Sequence, residues 1–289
     1  MRRALISLGL AALVILIWPA TAMAATDPLL NTSGNFAVLS GAGMTNTGPS
    51  WITGAIGASG AGITGFPPGT AGPQHIGDSP YTTAETDLVG TYTRAAAEPT
   101  TTDYTGVNLG GLTLGPGVYN QTTAPTLTGT LTLSGGGIYI FKIGSTLITA
   151  SGSRVSLING AQPCDIFWTV GSSATLNTST TFVGNILAVA SIQMLTGATL
   201  NGRALAQTAA VTLDTNRIIQ PAGCPGGFTQ SFPVPAFVPP PAGNKLPATL
   251  GVPSDLLREI PWLLVIGVGG AVGAVALGVS TARRRRRST

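Results

Sequence analysis

ATLNTSTTFVGNILA, residues 174–188, aligns without a gap on IQMLTGATLNGRALA, residues 192–206, at an offset of 18. Thr178, Thr181, Gly184, Leu187 and Ala188 fall on Thr196, Thr199, Gly202, Leu205 and Ala206. A partial further turn, VTLDTN at 211–216, follows after another 19 or so residues, and MTNTGPSWITG at 44–54 keeps the same rhythm. A repeat of this length suits one coil of a β-solenoid, with three short strands per turn and Gly, Asn or Ser at the corners. Each coil pairs with the coils above and below it, so equivalent residues stack about 4.8 Å apart and a repeated Thr becomes a ladder. A sandwich or barrel with coincidental internal similarity is the competing architecture.

Outward from the repeat, roughly residues 29–219 consist of short runs in which aliphatic residues alternate with Thr or Ser. Thr126-Leu127-Thr128, Thr130-Leu131-Thr132-Leu133, Ile138-Tyr139-Ile140-Phe141, Thr146-Leu147-Ile148-Thr149 and Val211-Thr212-Leu213 are examples. Period two marks strands with one buried face. The 40 glycines of the chain punctuate these runs, as expected of a backbone that turns often. The stretch from about 80 to 97 departs from the pattern, because Leu88, Tyr92 and Ala95 or Ala96 recur at helical spacing. It reads as the single helix, opened by Ser79 or Thr82 and closed by Pro99, with its apolar stripe on the β-body. Glu85, Asp87 and Arg94 are expected to face water.

The two ends are unlike the middle. Arg2 and Arg3, an apolar run from Ala4 to Trp18 and the small-residue stretch ending Ala22-Met23-Ala24 follow the order of a secretory signal peptide, residues 1–25. An uncleaved N-terminal anchor is the alternative. Residues 221–259, with Pro239-Pro240-Pro241, read as a semi-rigid extended spacer. The uncharged segment within 260–281 is long enough for one transmembrane helix. The tail, 282–289, carries Arg283 to Arg287, a stop-transfer cluster expected on the cytoplasmic side. This arrangement puts the body, 26–220, outside the cell. The sequence pI near 9.4 comes from the ends. Between the leader and the anchor, seven basic residues stand against ten acidic ones, so no basic patch argues for nucleic acid.

Candidate chemistry is sparse. His75 is the one histidine and has no Ser, Cys or acid at triad spacing, although Asp78 is close by. Asp103, Asp165 and Asp214 are singly placed, where glycan hydrolysis or lysis would need paired carboxylates or a calcium cluster. No nucleotide, serine-hydrolase or zinc-protease motif is present. These readings point away from an enzyme and imply no metal, cofactor or small-molecule substrate. Cys164 and Cys224 are the two cysteines and lie in the exported part, where an oxidising compartment lets them pair. Two free thiols are the other reading, since pairing geometry is not written in sequence.

The stretches NFAVLSGAGMTNTGPSWITGAIGA, GITGFPPGT, NLGGLTLGPGVYN, LTGTLTLSGGGIYIFKIGSTLITASGS, LINGAQPCDIFWTVGSSATLNTSTTFVGNILA and TGATLNGRALA occur in this order over nearly all of residues 29–219. They resemble the microbial ice-binding protein family. The resemblance implies an all-β, right-handed β-helix with one long helix packed alongside, and an ice-binding site on one flat face where short T-[A/G]-x-[T/N] motifs recur. Thr196-Gly197-Ala198-Thr199 fits that motif fully, while Thr178-Ser179-Thr180-Thr181 and Thr47-Gly48-Pro49-Ser50 fit loosely. Thr149-Ala150-Ser151-Gly152 and Thr215-Asn216 fit in part. The expected ice-contacting residues are therefore Thr47, Ser50, Thr149, Thr178, Thr180, Thr181, Thr196, Thr199 and Thr215. A Thr array suits the task because Thr is stiff at χ1 and sets a methyl beside a hydroxyl, so it can pre-order water at little side-chain entropy. An adhesion or envelope-structural module that keeps the fold without ice activity is the second function hypothesis. Leu246-Pro247-Ala248-Thr249-Leu250 looks like a sortase signal but has Leu250 where Gly is expected. It leaves wall attachment beside a retained membrane anchor as alternatives.

Overall fold

A computed structural model describes residues 24–224. The expected leader, spacer, span and basic tail lie outside those residues save for a few at their edges. Among the described residues no helix is long and apolar enough to cross a membrane.

The body is a parallel β-helix with three faces. Every strand pairing among the described residues is parallel. The first face runs, in spatial order, Gln74–Ile76, Ala55–Ala58, Phe36–Ser40, Thr199–Ala206, Thr181–Ala188, Ile166–Val170, Tyr139–Ile143, Gly117–Gln121 and Thr102–Asp103. The second is a seven-stranded sheet in the order Thr126–Leu127, Leu147–Thr149, Ala174–Leu176, Ile192–Met194, Val211–Asp214, Met44–Thr47 and Ile63–Thr64. The third is formed by Thr113–Leu114, Thr130–Ser134, Arg154–Ile158, the starts of Thr181–Ala188 and Thr199–Ala206, Arg217–Ile219 and Trp51–Thr53. A sandwich or barrel is thereby set aside.

The repeat that opened the sequence reading is a pair of stacked coils. Ala174 pairs with Ile192 and Thr181 with Thr199, and the register continues unbroken to Ala188 and Ala206. Each repeated residue has its own cause. Gly184 and Gly202 hold φ of 111° and 156° where the long strands swing from the third face onto the first. A Cβ on Gly202 would collide with the Gly184 carbonyl, so the bend needs glycine in both coils. Leu187 and Leu205 point out under the helix, and Ala188 and Ala206 point into the coil interior.

Sequence order and spatial order diverge at one place. The chain enters mid-stack at Phe36–Ser40 and winds to the Gln74–Ile76 end. The helix Ser79–Ala97 then carries it along the first face, and the remaining coils wind back from Thr102–Asp103. The last coil thus docks on the first: Met44–Thr47 pairs with Val211–Asp214, and Phe36–Ser40 with Thr199–Ala206. The helix is capped by Asp78, whose side chain accepts from Tyr81 N at 3.1 Å, one residue before the expected opening. It buries Tyr81, Ala84, Leu88, Thr91 and Ala95 against Leu39, Val118, Ile140, Phe167, Leu187 and Leu205. Tyr92 is only half-buried beside this cluster. Asp87 and Arg94 do not simply face water. Asp87 accepts from Thr32 N at 3.0 Å, and Arg94 donates to the carbonyls of Pro28 and Leu29 at 2.7 and 2.8 Å, clamping the N-terminal segment to the helix.

The interior is a continuous apolar column. Tyr119, Phe141, Trp168 and Phe182 stack on successive coils with ring centroids 5.2, 4.0 and 4.8 Å apart. Each such pair contributes about 0.5–1.5 kcal/mol beyond its burial. Cys164 and Cys224 are disulfide-bonded, with Cα atoms 5.3 Å apart, and tie the end of the last coil to the body. Arg203, 2 % exposed, lies beneath that tie and donates to Gly34 O and Asn185 Oδ1, both at 2.9 Å. Burial pushes its pKa down to about 10.

Candidate functional site

The seven-stranded sheet is one coil strand deep and no other element of the described residues covers it. Its strands alternate strictly. Leu127, Leu147, Ala174, Leu176, Ile192, Met194, Val211, Leu213 and Met44 are buried. The residue between each buried pair points outward. Register places these outward residues in one column across the sheet: Thr126, Ile148, Thr175, Gln193, Thr212, Thr45 and Thr64. Five of the seven are Thr. At about 4.8 Å per strand the column runs about 29 Å, straight because the strands are parallel and in register. A flanking column is small and neutral; Ser173 and Ser191, adjacent in it, are joined by a hydroxyl–hydroxyl bond of 2.9 Å. The charged side chain at the edge of this face is Asp214, which stands opposite Thr47.

The T-[A/G]-x-[T/N] segments occupy the corner between this face and the third. The corner has its own repeating geometry. Gly48, Gly152, Ser179, Gly197 and Thr215 hold φ of 76°, 70°, 58°, 72° and 52°, the left-handed region, at equivalent places in successive coils. Backbone bonds tie them, Ser179 N to Thr196 O at 3.0 Å and Thr215 N to Thr47 O at 2.9 Å among them. At Gly152, Ser179 and Gly197 the residue before is exposed, the residue after is buried, and the next turns out on the third face; Thr215 follows a half-buried Asp214, and after Gly48 the order shifts by one, with Pro49 exposed and Ser50 buried. A local motif therefore spreads its hydroxyls over two faces and the interior.

This geometry corrects several sequence expectations. Ser50, Thr149 and Thr180 are 1 %, 0 % and 0 % exposed and cannot meet an external surface. Thr149 and Thr180 hydrogen-bond each other through their hydroxyls at 2.9 Å, and Ser50 Oγ accepts from Asn216 N at 2.9 Å. They satisfy polar groups that the bend would otherwise leave buried and unpaired. Thr181 and Thr199 belong to the third face, in a column with Arg154 and Arg217, so they do not lie on a neutral plane. Arg217 sits over the Trp51 ring, 5.0 Å from its centroid. Thr47, Thr178, Thr196 and Thr215 are exposed along the corner. Thr196 donates to the Asp214 carboxylate, and Thr215 donates to it at 3.1 Å.

The outward column Thr45, Thr64, Thr126, Thr175 and Thr212 shares no residue with the contact set expected from the sequence. For Thr175 and Thr212 the sequence carries a signal, the apolar–Thr–apolar triplets Ala174-Thr175-Leu176 and Val211-Thr212-Leu213, spaced like the repeat. His75, outside this face, bonds through Nδ1 to Asp78 Oδ2 at 2.7 Å beside the helix start. No cluster of His, Cys, Asp and Glu able to hold a metal ion lies among the described residues.

The ice-binding-like family model matches residues 38–219, which span the first-face strand near the start of the coils to the last strand of the third face. The chain belongs to this family. An ice-binding protein of Nostoc sp. (strain HG1) is 47 % identical over 204 residues, 68 % of this chain and 76 % of the relative. One of Flavobacterium frigoris (strain PS1) is 38 % identical over 210 residues, covering 66 % and 76 %. Among solved structures, an ice-binding protein from an Antarctic biological consortium is 40 % identical with a TM-score of 0.67, covering 70 % of this chain and 95 % of that one. The match stops at the β-helix, so family membership speaks for the described body alone.

Proposed function

We propose that the protein adsorbs to ice through the seven-stranded face, with Thr45, Thr64, Thr126, Thr175 and Thr212 as the contacting column. The observation that carries this is the register. Five Thr side chains occupy one straight outward line on a face whose inward residues are packed, with Asp214 as the charge at its rim. A Thr fixed by its strand holds a hydroxyl and a methyl at set positions, so first-layer water can be ordered without ordering the protein as well. Of the corner residues, Thr47 and Thr196 border the contact, while Thr181 and Thr199 lie away from it. Family membership supports the same reading.

Display outside the cell rests on the sequence. In this proposal the leader at 1–25 exports the body, the coils wind right-handed as parallel crossovers do, and the span within 260–281 tethers it. Such a tether would hold the cell against ice or restrain recrystallisation nearby. Intact mass of the mature chain tests this: loss of about the first 25 residues with the basic tail retained is expected. A C-terminus at Thr249 would instead indicate wall attachment.

The face is tested by ice-affinity partition of the full-length chain against Thr45→Tyr. The substitution puts a ring into the column between Thr212 and Thr64 on an exposed strand position, where it leaves packing intact. Incorporation of the parent into growing ice and exclusion of the variant are expected. Equal incorporation of both would refute the face.

A further inference from the structure

The column is broken at two places, and the breaks differ in kind. Ile148 is β-branched like Thr, so it keeps the stiffness and outline of the line and lacks only the hydroxyl. Gln193 is different. It is exposed between Thr175 and Thr212, its neighbours Ile192 and Met194 are buried, and its amide makes no hydrogen bond among the described residues. Beside it the face dips into an open notch of about 240 Å³, bordered by Gln193, Leu195, Thr212, Asp214 and Thr47. At the same rung the coil length changes, from the 18 residues relating Ala174 to Ile192 to the 19 relating Ile192 to Val211. The notch therefore adjoins both the long side chain of Gln193 and the carboxylate of Asp214 at the rim.

Building on the reading that this face meets ice, we propose that Gln193 is its limiting residue, dividing the Thr column into two patches that act separately. Thr212, Thr45 and Thr64 form the continuous patch and carry most of the adsorption. Thr126 and Thr175 lie beyond the break. A Gln side chain has three rotatable bonds to immobilise when ice approaches, and its amide has donors and acceptors at no fixed place in the lattice. Thr at this position would give it a set hydroxyl and methyl, and would join the two patches.

The test is a double-mutant cycle on the full chain, read by the lowest concentration that arrests ice recrystallisation. Gln193→Thr is expected to lower that concentration about threefold, the order of effect of sparing one rotamer-rich side chain. In the parent background Thr175→Tyr is expected to weaken activity far less than Thr45→Tyr. In the Gln193→Thr background Thr175→Tyr should become costly, because its patch has been joined to the other. Melting temperature of Gln193→Thr, at an exposed position, serves as the folding control and is expected to be unchanged. If Thr45→Tyr abolishes activity but Gln193→Thr brings no gain, or the cost of Thr175→Tyr is the same in both backgrounds, the division at Gln193 is overturned and the face stands. If Thr45→Tyr changes nothing, the face itself is refuted and this inference goes with it.

Discussion

The helix-covered face and the open seven-stranded face are made by the same coils, yet their sequences follow different rules. Phe36–Ser40 and Ile166–Val170 are buried at every residue, because the coil interior lies on one side and the helix on the other. Met44–Thr47, Leu147–Thr149 and Ala174–Leu176 instead alternate, with every second residue turned out. Parallel sheets covered on both sides read as apolar runs, and a sheet with one side left bare reads as alternation. The bare side of this protein is filled with Thr and not with the mixed charges common on solvated strands. The two faces thus differ in what their strands bury: both sides on the helix-covered face, one side on the open face, whose other side is the one proposed to meet ice.

Three substitutions press on that division. On the covered face, Phe167→Ala removes a ring packed under the helix and is expected to cost about 3–5 kcal/mol, read by denaturant unfolding. A loss below about 1 kcal/mol would mean that the helix contributes little to the body. At the corner where the open face ends, Thr215 is a β-branched residue at φ 52°, an unfavourable place for it. Thr215→Gly is expected to raise stability by about 1 kcal/mol, with ice partition retained because the residue lies off the central column. A loss of stability would show that its hydroxyl bond to Asp214 outweighs the backbone cost. The smallest effect on folding belongs to the open face. Thr212→Val keeps the side-chain outline at a half-exposed position and is expected to change stability by no more than about 0.5 kcal/mol, yet to weaken ice adsorption. Unaltered adsorption would shift the weight of recognition from the hydroxyls to the methyl groups and the flatness of the sheet.

Much of the fold was legible because its causes are local. The 18-residue offset of 174–188 and 192–206 is the offset of the paired strands, since one coil is one repeat and neighbouring coils must match. The helix showed itself by a change of period. The face proposed to meet ice was less legible, because attention to the T-[A/G]-x-[T/N] segments leads to the corner. There the backbone takes a left-handed residue and aims successive side chains outward, inward and onto another face, so that Thr180 is buried while Thr178 is exposed. The plain triplets such as Val211-Thr212-Leu213 carried the better signal, one that strand propensity for Thr also explains.

The sequence by itself determined the coil, its period, the alternation that bares one side of each strand, and the helix. Only the tertiary structure decided that Thr212 stands beside Thr45. Those residues are brought together because the helix returns the chain along the stack and lets the last coil close on the first. A repeat reports which neighbours a coil needs but not which distant segment supplies the final one. That choice is made by the strand edges left unpaired once the chain has doubled back, and hydrogen bonding across them completes the row of threonines.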